Sequence, residues 1–193
     1  ILKHGVKLLI DATHPYAARI SANAAEAASQ TGVPFLALRR PAWQQVADDR
    51  WTIVDNAAEA VAALGETSRR VFLALGRQEL LPFEAAPQHR YLIRSVDPVA
   101  PPLAVPDAEY ILARGPFDSA AEQAMLSRHH IEAIVSKNSG GSATYGKIEA
   151  ARALGVEVVM FRRPALPDAP GAATVREIVR LARHQLGLIE RGE

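Results

Sequence analysis

Short apolar runs rich in Val, Ile and Leu alternate along this chain with alanine-rich segments of helical length. Lys7–Ile10 is followed by Tyr16–Ser29 and then by Phe35–Leu38. Apolar runs of that length predict strands, and apolar positions spaced by three and four predict amphipathic helices. Further strands are predicted at Val71–Leu75, Tyr91–Ile93, Tyr110–Ala113, Ile131–Val135 and Val156–Phe161. Helices are predicted at Ala57–Leu64, Ser119–Arg128, Thr144–Leu154 and Val175–Leu186. Asn56 with Glu59, and Thr174 with Glu177, have the spacing at which a cap side chain satisfies the free amides of a first turn. Gly32 and Gly155 stand where a left-handed residue closes a helix. Strand and helix in alternation predict βαβ units, hence an α/β fold with parallel sheets.

An internal repeat sharpens the layout. "AASQTGVPFLALRRPA" from Ala27 aligns with "AARALGVEVVMFRRPA" from Ala150 at a constant offset, since 155 − 32 and 162 − 39 both give 123. Each copy has a strand, a polar loop and a helix before it and a capped helix after it. The expected organisation is therefore two similar doubly wound domains, residues 1–66 and 71–193, divided near Gly65–Arg70. From Val71 to the strand at Ile131 the second half has 60 residues, whereas only five precede Val6. If the halves are alike, the natural chain is expected to continue upstream of Ile1.

Composition then narrows the function classes. The 193 residues are 49% hydrophobic, ample for a packed core, and 22 Lys and Arg balance 21 Asp and Glu. That balance argues against a nucleic-acid or membrane-surface protein. With no cysteine there is no disulfide, thiolate metal site or cysteine nucleophile, and a cytoplasmic location is expected. No apolar run reaches the length of a membrane span. No metal site and no protein partner is inferred.

In parallel sheets, ligands bind beyond the carboxyl ends of the strands, which directs attention to "DATHPYA", "RRPAW", "GRQEL", "RSVDP", "ARGPFD" and "SKNSGGSATYGK". In the last of these, Lys137, Asn138, Ser139, Gly140, Gly141 and Thr144 precede a helix, the arrangement that receives phosphate at a positive helix end. A flexible βα connection has the same composition, and no G-x-G-x-x-G or Walker loop decides between them. Pro15 is expected at a first helical position, with Thr13 or His14 near the cap and Asp11 at the strand end. His14 is either a proton donor in a cleft or simply part of that cap. Arg39, Arg40, Arg77, Arg94, Arg114, Arg162 and Arg163 all fall at or just after strand ends. Guanidinium forks there suit carboxylates and phosphates, so a polyanionic ligand is expected. With no G-x-S-x-G and no cysteine, cofactor chemistry is favoured over covalent hydrolysis.

"IDATHPYAARISANAAEAA", "LALRRPAW", "FLALGRQEL", "YLIRSVDP" and "IVSKNSGGSATYGKIEAARALGVEVVMFRRP", in this order over nearly the whole chain, resemble the precorrin-6A reductase family of cobalamin biosynthesis. The resemblance implies two Rossmann-like domains with an interdomain cleft, and NADPH-dependent reduction of one double bond of the precorrin-6A macrocycle to precorrin-6B. Family members begin with a glycine-rich strand and turn resembling G-G-T-x-E-A, which has no counterpart here. The tetrapyrrole substrate carries acetate and propionate groups that would meet the arginines. The resemblance assigns Gly76, Arg77, Arg94, Asn138, Ser139, Gly140, Gly141 and Thr144 mainly to NADPH. Asp11, Thr13, Arg39, Arg40, Arg162 and Arg163 are assigned to the substrate side, although the four arginines could serve either ligand, and Lys137 and His14 are the candidate proton donors. The motifs leave open the cobalt-precorrin-6A branch and its preference for NADPH or NADH. A non-catalytic dinucleotide-binding regulatory module is the rival of another class; it would keep the Ser136 loop but has no need of so many arginines.

Overall fold

The computed structural model describes residues 1–191. Within them the apolar runs form two separate sheets, and every neighbouring pair of strands is parallel. The smaller sheet has the order β1 (Leu9–Asp11), β2 (Phe35–Leu38), β9 (Gly171–Ala172). The larger has the order β3 (Trp51–Val54), β8 (Glu157–Phe161), β7 (Ala133–Lys137), β4 (Arg70–Ala74), β5 (Arg90–Ser95), β6 (Ala108–Leu112). The α/β class is as expected. Val71, Phe72 and Leu73 of β4, Ile134 and Val135 of β7, and Val159 of β8 are all fully buried. Strands covered on both faces read as continuous apolar runs, which is why these three stand out in the sequence.

Five α-helices accompany the strands among the described residues: α1 (Ala18–Thr31), α2 (Ala57–Leu64), α3 (Ser119–Arg128), α4 (Gly146–Leu154) and α5 (Val175–Arg191). α3 packs on α4, and Leu126, Ile148, Ala150 and Ala151 join Phe72, Leu92, Ile134 and Met160 in one core cluster. α2 packs on β8 and on the 3-10 turn at Leu81–Ala85. Both predicted caps form: Asn56 accepts from the Glu59 amide at 3.0 Å, and Thr174 from the Glu177 amide at 3.3 Å. Gly32 and Gly155 close α1 and α4 at φ 67° and 66°, where a side chain would be strained.

Counted from β4, the large sheet reads 3-2-1-4-5-6, a doubly wound order that reverses between β4 and β7. Its sixth position is filled by β3, which comes earlier in the chain and pairs with β8 from Trp51↔Val158 to Val54↔Phe161. In the small sheet the corresponding place beside β2 is taken by β9, through Ala37↔Gly171 and Leu38↔Ala172. Ile53 and Gly171 thus hold equivalent pairings, and the step of 118 between them also carries Asn56 onto Thr174. The repeat continues past each strand, but each continuation joins the other sheet.

The compact units are accordingly Trp43–Arg163, and Ile1–Ala42 together with the chain from Pro164 onward. Sequence reading placed the division near Gly65–Arg70. It differs because β3 satisfies its backbone groups on the edge of β8, taking α2 with it, and neither β3 nor β9 was predicted as a strand. Two helix starts also differ. α1 begins at Ala18 rather than at Pro15, because residues 14–17 form a turn in which the Ala17 amide donates to His14 O at 2.8 Å. α4 begins at Gly146 rather than Thr144. Among the described residues no helix is long and apolar enough to cross a membrane.

Candidate active site

The carboxyl ends of β4, β5, β6 and β7 open on a cleft of ≈ 480 Å³ within the larger unit. Its wall is built from the residues that follow β4 (Gly76, Arg77), those that end β5 (Arg94, Ser95), and Ser139 and Thr144 after β7. This is the reversal point of the sheet, where adjacent connections leave in opposite directions and a crevice must form.

Each loop is held by identifiable contacts. After β4, Gly76 precedes the short 3-10 turn Arg77–Glu79, and a Cβ on Gly76 would come within 2.6 Å of Glu79 Oε2. The glycine therefore lets Glu79 fold back, and Glu79 Oε1 pairs with Lys137 Nζ, tying the loop after β4 to the end of β7. Arg94 is gripped by Glu122 of α3 through two hydrogen bonds of 2.5 and 2.8 Å and lies 3.7 Å from the Phe117 ring centroid. The pair is nearly buried, at 8% and 4% side-chain exposure, so this arginine is a fixed part of the cleft wall. Such a pair is destabilising to break from one side only.

After β7 the chain turns sharply, with the Ser139 amide donating to Lys137 O at 2.9 Å and Gly140 and Gly141 at φ 68° and 70°. The Asn138 amide group accepts from the Trp43 N–H at 2.7 Å and donates to the Trp43 carbonyl at 2.9 Å. The Trp43 indole N–H donates to Gly141 O at 2.7 Å. Asn138 thereby fixes the loop through Trp43. Tyr145 occupies the cap of α4 with its hydroxyl turned to Arg152 at 2.9 Å, leaving the first-turn amides uncapped by a side chain. Gly146 allows that turn to approach the segment Phe117–Ser119, since a Cβ there would lie 2.6 Å from Phe117 O. Arg163 Nε donates to Asn138 O at 2.8 Å, and Arg162 forms an exposed pair with Asp55 at 2.6 Å.

In the smaller unit, Asp11 ends β1 and is 3% exposed. It accepts from the Thr13 amide at 3.0 Å and the Thr13 hydroxyl at 2.6 Å, with Arg39 Nη2 at 2.8 Å. Burial works to raise its pKa, but the hydrogen bonds from Ser21, Thr13 and Arg39 more than offset this and hold the carboxyl well below the usual carboxylate range. His14 is exposed, its Nδ1 accepting from the Tyr16 amide at 3.3 Å, and Arg40 follows β2 half-buried.

A profile of precorrin-6x reductase CbiJ/CobK matches residues 1–183. The chain belongs to the precorrin-6x reductase family. A relative named precorrin-6A reductase from Sinorhizobium sp is 59% identical over 181 residues, covering 94% of this chain and 69% of its own. One of the same name from Rhodobacter capsulatus is 47% identical over 179 residues, covering 93% and 71%. A solved structure of CobK precorrin-6A reductase aligns at a TM-score of 0.90 with 46% identity, over 95% of this chain and 73% of that one.

Of the residues the precorrin-6x reductase resemblance assigns to NADPH, the cleft brings together Gly76, Arg77, Arg94, Ser139 and Thr144. Asn138 is turned to Trp43, and Gly140 and Gly141 shape the same loop. Sequence reading missed Glu79, Glu122, Phe117 and Lys147. Glu122 and Lys147 carried a signal: each lies three or four residues from buried apolar positions, Leu126 for one and Ala150 and Ala151 for the other. A charge on an apolar helical stripe marks a paired or functional group.

Proposed function

We propose that the chain reduces precorrin-6A to precorrin-6B with NADPH bound in the cleft at the carboxyl ends of β4 and β7. The observation that carries this reading is the position of the cleft, at the reversal point of a doubly wound sheet, in a chain whose family relatives are named precorrin-6A reductase. The residues present fit a dinucleotide. Two glycines at positive φ offer backbone rather than side chain to a phosphate, and the uncapped first turn of α4 adds partial positive charge.

Bound there, the nicotinamide supplies a hydride to a carbon of the macrocycle. The chain's own part is positioning and proton supply. Ser139, Gly140, Gly141 and Thr144 hold phosphate with Arg77, while Asn138 keeps their loop in place through Trp43. Gly76 leaves room for Glu79, and Glu79 holds the Lys137 ammonium, which donates the proton that balances hydride addition. His14 is the second candidate donor. Arg39, Arg40, Arg162 and Arg163 meet acetate and propionate groups of the substrate. Asp11, oriented by Thr13, fixes the guanidinium of Arg39, and the exposed Arg162–Asp55 pair exchanges its partner at little cost. The same reading takes the two units as similar Rossmann-like folds, which the constant repeat offset supports.

The test is to mix the protein with NADPH and precorrin-6A and follow cofactor absorbance and product mass. Oxidation of NADPH with addition of one hydride and one proton to the macrocycle is expected. No oxidation overturns the reading, and oxidation of NADH with the cobalt-containing substrate alone moves the chain to the anaerobic branch.

A further inference from the structure

Lys147 lies on the buried stripe of α4 with Ala150 and Ala151, and only 4% of it is exposed. Its Nζ donates to Thr144 O at 2.8 Å and stands 4.9 Å from the Trp43 ring centroid. Among the described residues it forms no ion pair. An ammonium has three N–H donors, so most of its hydrogen-bonding capacity is unused in a place sheltered from water. The charged groups that act on it are Arg94 of β5 and Glu122 of α3, and those two are paired with each other. Burial therefore pushes the amine down to about 7, with Arg94 adding to the effect and Glu122 opposing it. The same side chain lines the cleft together with Ser139 and Thr144.

We propose that Lys147 Nζ is the buried anion anchor of this cleft and takes a phosphate oxygen of the dinucleotide through its unused N–H groups. The proposal rests on the cleft being the dinucleotide site. A buried ammonium lacking acceptors is destabilised, and a phosphate oxygen supplies both the missing acceptor and the opposite charge. Binding then favours the protonated amine, so cofactor and proton bind together. The effect depends on pH: near pH 6 the amine is already mostly charged and little proton is taken up, whereas above about pH 8 most of it is neutral before the cofactor arrives.

Calorimetric titration of the whole protein with NADPH, in buffers of different ionisation enthalpy, reads this directly. At about pH 8.5 uptake approaching one proton per cofactor is expected, because phosphate monoesters with a second pKa near 6 are fully ionised there and contribute none. Uptake should fade toward pH 6. Lys147→Met, which keeps an unbranched side chain one atom shorter and removes the ammonium, is expected to abolish the uptake and weaken NADPH about tenfold at pH 7. Tight NADPH binding by the unaltered protein without proton uptake overturns the proposal, whether or not the variant folds, and leaves the cleft as the cofactor site. Uptake on adding the tetrapyrrole alone assigns Lys147 to a substrate carboxylate and also overturns it. If NADPH does not bind at all, the functional reading of the cleft falls, and the anchor with it.

Discussion

Lys137 and Lys147 meet opposite electrostatic settings although a single short loop joins them. Lys137 has a carboxylate, Glu79, at its ammonium, and remains part-exposed at 18%. Its charge is matched by that carboxylate, and in the proposed reaction it is the proton donor. A proton donor acts in the transition state, while phosphate contacts act in the ground state as well. Lys137→Ala is therefore expected to lower turnover at least tenfold while changing the NADPH dissociation constant by less than about threefold. Stopped-flow turnover beside equilibrium titration separates the two, and unchanged turnover with weakened cofactor would make Lys137 an anchor. His89 offers a stability counterpart. It is 1% exposed, and Nδ1 accepts from the Arg69 amide at 3.2 Å. Burial pushes its imidazole below the ordinary 6.5, the Gly65 carbonyl opposing and Arg69 adding to the shift. The unfolded chain then binds the proton more readily than the folded one, so the stabilisation is present above about pH 6.5 and is lost as pH falls through the folded value. His89→Asn keeps an acceptor for the Arg69 amide, and its melting temperature should fall less steeply between about pH 6.5 and 5 than that of the parent. Parallel curves would show that another group governs the acid limb.

At the scale of elements, the loop after β7 is where backbone conformation and binding coincide. Gly140 and Gly141 both have positive φ, so valine at either position brings a strained backbone and a branched side chain into the approach of a phosphate. Weakening of NADPH by about tenfold or more, equivalent to about 1.4 kcal/mol, is expected with the fold retained. Unchanged affinity would place the cofactor elsewhere and leave this loop as a connection. The loop was legible in sequence because small residues between an apolar run and a helix are unusual enough to notice. The strands behind it were legible for a different reason, burial on both faces. β3 was not: its four residues lie at a sheet edge, with Asp48, Asp49 and Arg50 before them and Asp55 and Asn56 after. β9 is only Gly171 and Ala172, and Gly171 is required because a Cβ there would sit 2.0 Å from Ala37 O. A two-residue strand defined by its partner has no periodicity to read. Glu79, missed beside the cleft, shares this feature, since it takes its meaning from Lys137, which is distant in sequence.

At the scale of the whole molecule, the repeat and the units disagree about where the chain divides, and the strand pairing favours the units. A boundary near Gly65–Arg70 would leave β8 with a bare edge and remove α2 from the face it covers. An unpaired edge of apolar strand is a template for association with other chains. The fragment 71–193 is therefore expected to be poorly soluble or to self-associate, and to lack a single cooperative thermal transition. The fragment 43–163 retains all six strands of the large sheet with α2, α3 and α4, and should fold cooperatively as a monomer. Expressing the two fragments side by side, and comparing melting curves and sedimentation, tests the division directly. A monomeric, cooperatively folded 71–193 would show that β3 is dispensable to the sheet and that the sequence repeat, with each copy complete in itself, is the better guide to the folding units. A 43–163 fragment that folds would also allow NADPH binding to be measured without the smaller unit. Every residue lining the cleft lies between Ala74 and Lys147, so its affinity should stay within about threefold of the whole chain.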